Sequence, residues 1–195
     1  MKKYILSLAV SLVLIQPAFA QSSKLSSDQD LLQGQWMQAC QNHALRIEDF
    51  ESHKVTLQEM FFMDDACKTP LMVFANAGNY VLPQAGQMDF TFTSVTVRLN
   101  SAVAVNDFNK RQVCGFSDWT INVDKEVSGR SCEIFFVGQP QKVPTAGEMR
   151  YGIYHIDGDH LSFGKLSRDQ NATTPDKRPT DFDPRYYTKI PHISP

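Results

Sequence analysis

Beyond its first twenty residues the sequence holds no apolar run long enough to cross a bilayer as a helix. It also holds no cluster of lysine and arginine. Without Lys2 and Lys3 the chain has 17 basic against 21 acidic residues, a formal charge of −4, which argues against a nucleic-acid partner. There is no C-x-x-C pair and no close set of histidines, so the usual zinc patterns are missing. No serine sits in a G-x-S-x-G elbow. No long stretch keeps a helical period. An enzyme is therefore not expected, and neither is a catalytic residue, a metal ligand or a cofactor. Carboxylates that meet only in three dimensions escape a reading of this kind.

The chain opens with Lys2 and Lys3, an apolar stretch from Ile5 to Ile15, and Ala18-Phe19-Ala20 before Gln21. This is the pattern of a secretory signal peptide over residues 1–20, preferred to an uncleaved anchor. No cysteine follows the junction, which argues against a lipoprotein. The compact basic start and the small-residue junction look bacterial, so the expected location is periplasmic or secreted. Residues 21–31 are polar and serine-rich and read as a flexible leader. Residues 32–195 read as a single domain with a C-terminal tail, long enough for a real core.

Four cysteines remain in that domain: Cys40, Cys67, Cys114 and Cys132. An even number in an exported chain reads as two disulfides rather than as nucleophiles. Counting does not separate the three pairings. The choice taken is Cys40 with Cys67 and Cys114 with Cys132, since each closes a loop of modest length. A simple hairpin over residues 116–137 does not place Cys114 opposite Cys132, so the second bridge has the weaker footing.

The rest of the pattern is β. Lys54 to Met63 is β-rich and partly alternating, Leu71 to Ala75 is a short apolar run, and Ala75 to Asn79 reads as a turn before a strand at Tyr80 to Leu82. Met88 to Leu99 is the clearest strand. Its apolar phase moves from Met88, Phe90 and Phe92 to Val95, Val97 and Leu99, which predicts a bulge near Ser94. Phe116 to Val123 alternates again, and Ser131 to Val137 follows. Met149 to Ile156 meets Leu161 to Leu166 across Asp157-Gly158, a strong hairpin signal. A short helix has two places, Asp107 to Gln112 or Asn42 to Ser52. About eight or nine short strands, one of them bulged, predict an all-β antiparallel sheet that closes or nearly closes into a barrel, with at most one or two short helices.

Gly34-x-Trp36 at the entry to the first strand resembles the signature of lipocalins and the wider calycin group. A longer constellation adds Cys40, then Phe62-x-Asp64-x-x-Cys67-x-x-Pro70, then Ala77-Gly78-x-Tyr80. Together these resemble the domain named for the vertebrate adenomatosis polyposis coli down-regulated (APCDD) Wnt antagonist, in a bacterial single-copy form. Gly158-Asp159-x-Leu161-x-Phe163-Gly164 and Arg178-Pro179-Thr180-x-Phe182 resemble the closing strands of bacterial lipocalin-like domains. The resemblance implies a lipocalin-like barrel for an apolar, acyl-chain ligand. It implies that Trp36 plugs one end and that Cys40 and Cys67 are structural. Gly34 lets the chain bend at the strand entry. One copy, fewer cysteines and no membrane anchor depart from the vertebrate pattern, so no role in Wnt signalling is carried over.

Met60, Phe62, Met88, Phe90, Phe92, Trp119, Phe135, Tyr154 and Phe163 are the residues expected to line an interior. Such residues also make any dry β-core, and a small barrel can be filled by its own side chains. Asp64-Asp65 is read as a solvated turn rather than a calcium site, since hard cations need six or more oxygens. His155 and His160 flank the Asp-Gly turn, too few for a metal site to be expected. Asn171-Ala172-Thr173 is a glycosylation sequon in spelling and a loop in a bacterial setting. The leading expectation is an apolar small molecule or lipid as partner. The alternative is an interaction or inhibitor module that binds an envelope protein through the loop at 167–184. Thiol titration of the unfolded, unreduced protein is expected to find no more than a trace of free thiol; each bridge contributes about 2–4 kcal/mol.

Overall fold

Met88, Phe90 and Phe92 precede Val95, Val97 and Leu99, and strict alternation would turn one of these sets away from the core. The computed structural model, which describes residues 27–134 and 140–191, resolves the conflict with a bulge. On the long strand β5 (Gln87–Leu99), Phe92 pairs with Gly78 and Ser94 with Ala77 of β4 (Pro70–Val81), so Thr93 is the extra residue. Both apolar sets therefore contribute buried residues, as the phase change predicts.

Strands β1 (Gly34–Gln41), β2 (Ala44–Glu51), β3 (Lys54–Phe62), β4 and β5 follow one another as antiparallel neighbours. The first two hairpins are tight. Asn42 (φ 51°) and His43 (φ 60°) form the β1–β2 loop, the double positive φ of the turn that matches strand twist. The sheet continues from the first half of β5 to β9 (Met149–Asp157), β10 (His160–Phe163) and β11 (Tyr187–Lys189), and β11 returns to β1. The result is a closed eight-stranded antiparallel barrel. The β9–β10 turn is the expected hairpin, with Asp157 opposite His160 and Gly158 at φ 61°.

The second half of β5 serves a second core. There Thr96 to Arg98 pair with the extra strand β6 (Asp124–Glu126). Helix α2 (Ala102–Arg111), a 3-10 turn at Val113–Gly115 and the ribbon β7 (Ser131–Cys132) with β8 (Gln141–Lys142) complete it. Ser101 caps α2 by accepting from Ala104 N. Ala104, Phe108, Trp119 and Val127 pack there against Val95, Val97 and Leu99. Cys114 joins Cys132 in this core, and Cys40 joins Cys67 at the far end of β1. Both pairings agree with the choice made from loop length.

Four local expectations are corrected. Residues 75–79 are not a turn but the middle of β4. Gly78 is there for clearance: a Cβ on it would lie 2.5 Å from the Phe90 ring and 2.3 Å from Thr91 O. Phe116 to Val123 is not a strand. Asn109 bonds both the N–H and the C=O of Trp119 and holds an irregular loop, while Ile121 and Val123 point outward, 48% and 51% exposed. Of Ser131 to Val137, only Ser131–Cys132 is strand among the described residues. The helix occupies 102–111, and residues 44–51 form β2.

The leader reading also ends early. Residues 1–26 lie outside the described part, but 27–32 form a short helix, α1, docked on the barrel. Its contacts satisfy the polar tips of three buried aromatics. Trp36 Nε1 donates to Leu32 O (2.7 Å), Tyr154 OH donates to Asp28 Oδ2 (2.7 Å), and Gln29 Nε2 donates to Tyr80 OH (2.6 Å). Trp36, Leu32 and Leu161 are wholly buried, and with Tyr80 and Tyr154 they form a solid floor to the barrel. Gly34, at φ 97°, makes the bend that brings β1 off this helix. Trp36→Ala is expected to cost about 3–5 kcal/mol, read as a large fall in the urea midpoint.

Candidate functional site

Each strand leaving the floor carries its next inward residues onto the wall of a cavity of about 740 Å³. On β1 the step is from Trp36 to Gln38, on β10 from Leu161 to Phe163, and on β9 from Tyr154 to Gly152 and Arg150. The interior above the floor is thus open, within the usual size range of small-molecule pockets.

The wall has two chemistries. Val55 and Leu57 of β3, Met88, Phe90 and Phe92 of β5, and Phe163 of β10 form the apolar side. The Phe90 and Phe92 rings meet edge to face at 4.6 Å, over the space that Gly78 leaves free. The adjoining strands β11, β1 and β2 form the polar side, with Tyr187, Gln38, Arg46 and Glu48. Above β11, Asp183 and Arg185 join it.

Glu48 is 4% exposed. Its cross-strand partners are Trp36 and Leu57, neither able to compensate a charge. Burial pushes its carboxyl up to about 8, against the opposing pull of a hydrogen bond with Tyr187 and the charge of Arg46. At neutral pH it is a neutral acid. Burial, and then the nearby Glu48, raise the Tyr187 phenol as well. Arg46 is held by Glu59, with Nε and Nη2 donating to one carboxylate oxygen at 2.9 and 2.7 Å. Arg185 binds Asp183 bidentately, Nε donating to Oδ1 and Nη2 to Oδ2, and that pairing holds the Asp183 carboxyl well below its ordinary range.

Part of the upper wall is not sheet. Residues 165–184 run between β10 and β11, and Lys165, Leu166, Ala172, Pro179 and Asp183 face the cavity. Tyr151 N donates to Ala172 O, continuing along β9 where β10 has ended. Arg178 anchors the segment, donating to Asp89 Oδ1 and to Gly152 O at 2.6 Å each. Both charged side chains are mostly buried. The stretch expected to be an exposed contact loop is thus engaged in the cavity wall.

Of the residues expected to line an interior, Met88, Phe90, Phe92 and Phe163 are brought together on this wall. Tyr154 lies one level lower, in the floor. Trp119 belongs to the second core, against Phe108 and Phe116. Met60 and Phe62 alternate out of phase with Val55 and Leu57, which puts them on the other face of β3. Phe135 lies outside the described residues. Asp64 organises a turn by accepting from the N–H groups of Ala66, Lys68 and Thr69. His155 pairs with Ser162 and His160 with Asp157, so the two histidines are not direct partners. Sequence reasoning missed Glu48, Arg46, Gln38 and Tyr187. On β2 hydropathy favours Leu45 and Ile47 as the inward set, and only Phe50, in phase with Arg46 and Glu48, marks the true inner face.

The closed antiparallel barrel is consistent with a lipocalin- or calycin-like fold in general. No family model matches the chain, and no curated protein matches it.

The raised pKa of Glu48 sets the direction of its effect on stability. Between 4.5 and about 8 the folded chain keeps a proton that the unfolded chain loses, so stability falls as pH rises through that window. Glu48→Gln removes this loss. The variant is expected to be more stable than wild type at pH 8, by on the order of 4 kcal/mol, with the gain shrinking toward pH 4.5. Urea midpoints of both proteins across pH 4.5–8.5 check it.

Proposed function

We propose that this chain is an exported, non-catalytic carrier of an apolar small molecule, with a lipid acyl chain as the cargo that fits best. The observation that carries the reading is the open interior above a sealed floor. The floor uses Trp36, Tyr80 and Tyr154 to close one end, while Phe90, Phe92 and Phe163 face unfilled space. A filled core would bring the opposite wall onto those rings. The signal-peptide pattern of residues 1–20 supports export to the periplasm or beyond. The order Gly34-x-Trp36, Cys40, Cys67, Gly78-x-Tyr80 supports kinship with the APCDD-type lipocalin-like domain. An interaction module for an envelope protein is less well supported, because residues 167–184 contribute to the cavity wall.

A fluorescent anthroyloxy-labelled fatty acid tests the reading. Wild type should bind it saturably. Phe90→Ala should weaken that binding by about tenfold or more while costing less than the 3–5 kcal/mol or so typical of a truncation in a filled core. Absence of saturable binding by wild type, together with a large loss of stability in the variant, would defeat the carrier reading.

A further inference from the structure

Glu48 and Tyr187 stand side by side on the polar wall, with the Tyr187 ring edge to face on Phe163 at 5.6 Å. Between them they carry two O–H hydrogens when Glu48 is neutral. Whichever way their shared hydrogen bond runs, one hydrogen is used and one is left. Among the described residues no other hydrogen bond takes it up. Both residues line the cavity, so that hydrogen is within reach of an acceptor on a bound ligand.

The charges around the cavity say which acceptor. Arg46, Arg150, Lys165 and Arg185 line it, against Asp183 and the neutral Glu48. By register, Arg46 lies one inward step above Glu48 on β2, and Arg150 follows Gly152 up β9. Glu59, Glu148 and Asp183 pair with the three arginines, which leaves Lys165 as the excess positive charge of the upper level among the described residues. A cationic head would meet like charge there. An anionic head is attracted, and its oxygens accept the spare hydrogen.

We propose that the cavity binds a long-chain carboxylic acid as its anion, with the chain against Phe90, Phe92 and Phe163 and the carboxylate on the β11–β1–β2 wall, accepting from the Glu48–Tyr187 pair beneath Arg46. The assignment rests on the carrier reading and narrows it to a headgroup. It makes Glu48 a ligand-recognition residue that works as a proton donor, not as a charge. A carboxylate close to Glu48 favours the protonated acid further. The groups facing Glu48 are Tyr187 from β11 and Arg46 on its own strand, with Glu59 from β3 behind Arg46. Once Glu48 ionises, above about 8 in the free protein, two carboxylates oppose each other and the acid is released.

Displacement of the fluorescent fatty acid by palmitate, methyl palmitate and hexadecylamine tests this. At pH 7 palmitate should bind about tenfold to a hundredfold tighter than its methyl ester, the range of a hydrogen bond to a charged group. Its affinity should fall as pH rises past 8, while the ester's should not. Glu48→Leu should cut the preference for acid over ester by about tenfold, leaving what the wall cations contribute. Glu48→Gln, which keeps an N–H donor of the same size, should retain the preference and lose the fall above pH 8. Equal binding of acid and ester by wild type, tighter binding of the amine, or a preference unchanged by Glu48→Leu would overturn the headgroup assignment and leave the carrier reading standing. Should Glu48→Leu not fold, the wild-type comparison decides alone. If none of the three competes and the fluorescent acid itself does not bind, both fall together.

Discussion

The sealing of one barrel end is the constraint on which the rest of the structure depends. Eight closed strands enclose an interior that side chains can just fill or that can hold one small ligand. Here the filling is concentrated at one level, where Trp36, Tyr80 and Tyr154 bring three polar tips together. Buried N–H and O–H groups must find partners. Helix α1 supplies them through Leu32 O, Gln29 and Asp28, and so becomes part of the domain. Above that level Gly152, Val55 and Leu57 alternate with Phe90, Phe92 and Phe163 on the wall, and the upper barrel stays hollow.

Strand β5 links that hollow barrel to a second core. Its first half faces the cavity and pairs with β9, and its second half pairs with β6 and packs on α2. The Thr93 bulge divides the two tasks. The second core is apolar and bridged by Cys114–Cys132. A disulfide-bridged unit thus stands beside a barrel with the larger cavity, and one continuous strand runs through both.

Much of this was legible in the sequence, for reasons that can be named. The phase change at Ser94 announced the bulge because period-two alternation leaves no other economical solution. Gly-x-Trp marked the floor, and Asp157-Gly158 marked a hairpin whose turn chemistry is local. What escaped was everything decided by register. Nothing in Leu45-Arg46-Ile47-Glu48 shows that its polar members face inward, since the hydropathy of those four residues points the other way. The apolar chemistry of Met60 and Phe62 suits an inner wall, but their parity on β3 puts them on the other face. Ala75 to Asn79 carried turn residues, but Gly78 serves a neighbouring ring rather than a change of direction. Phe116 to Val123 imitated a strand because Trp119 is buried while Ile121 and Val123, two and four residues on, are not.

The segment between β10 and β11 separates two properties that a barrel usually ties together. The ladder that closes the sheet runs through β9, β10 and β11 below this segment, whereas Ala172 and Pro179 shape the chamber above. Substitutions or length changes between Ser167 and Arg178 would alter the chamber's outline without touching a strand-to-strand pairing. Sequence variation thus has a region in which to reshape the chamber while the pairing of the strands is left alone.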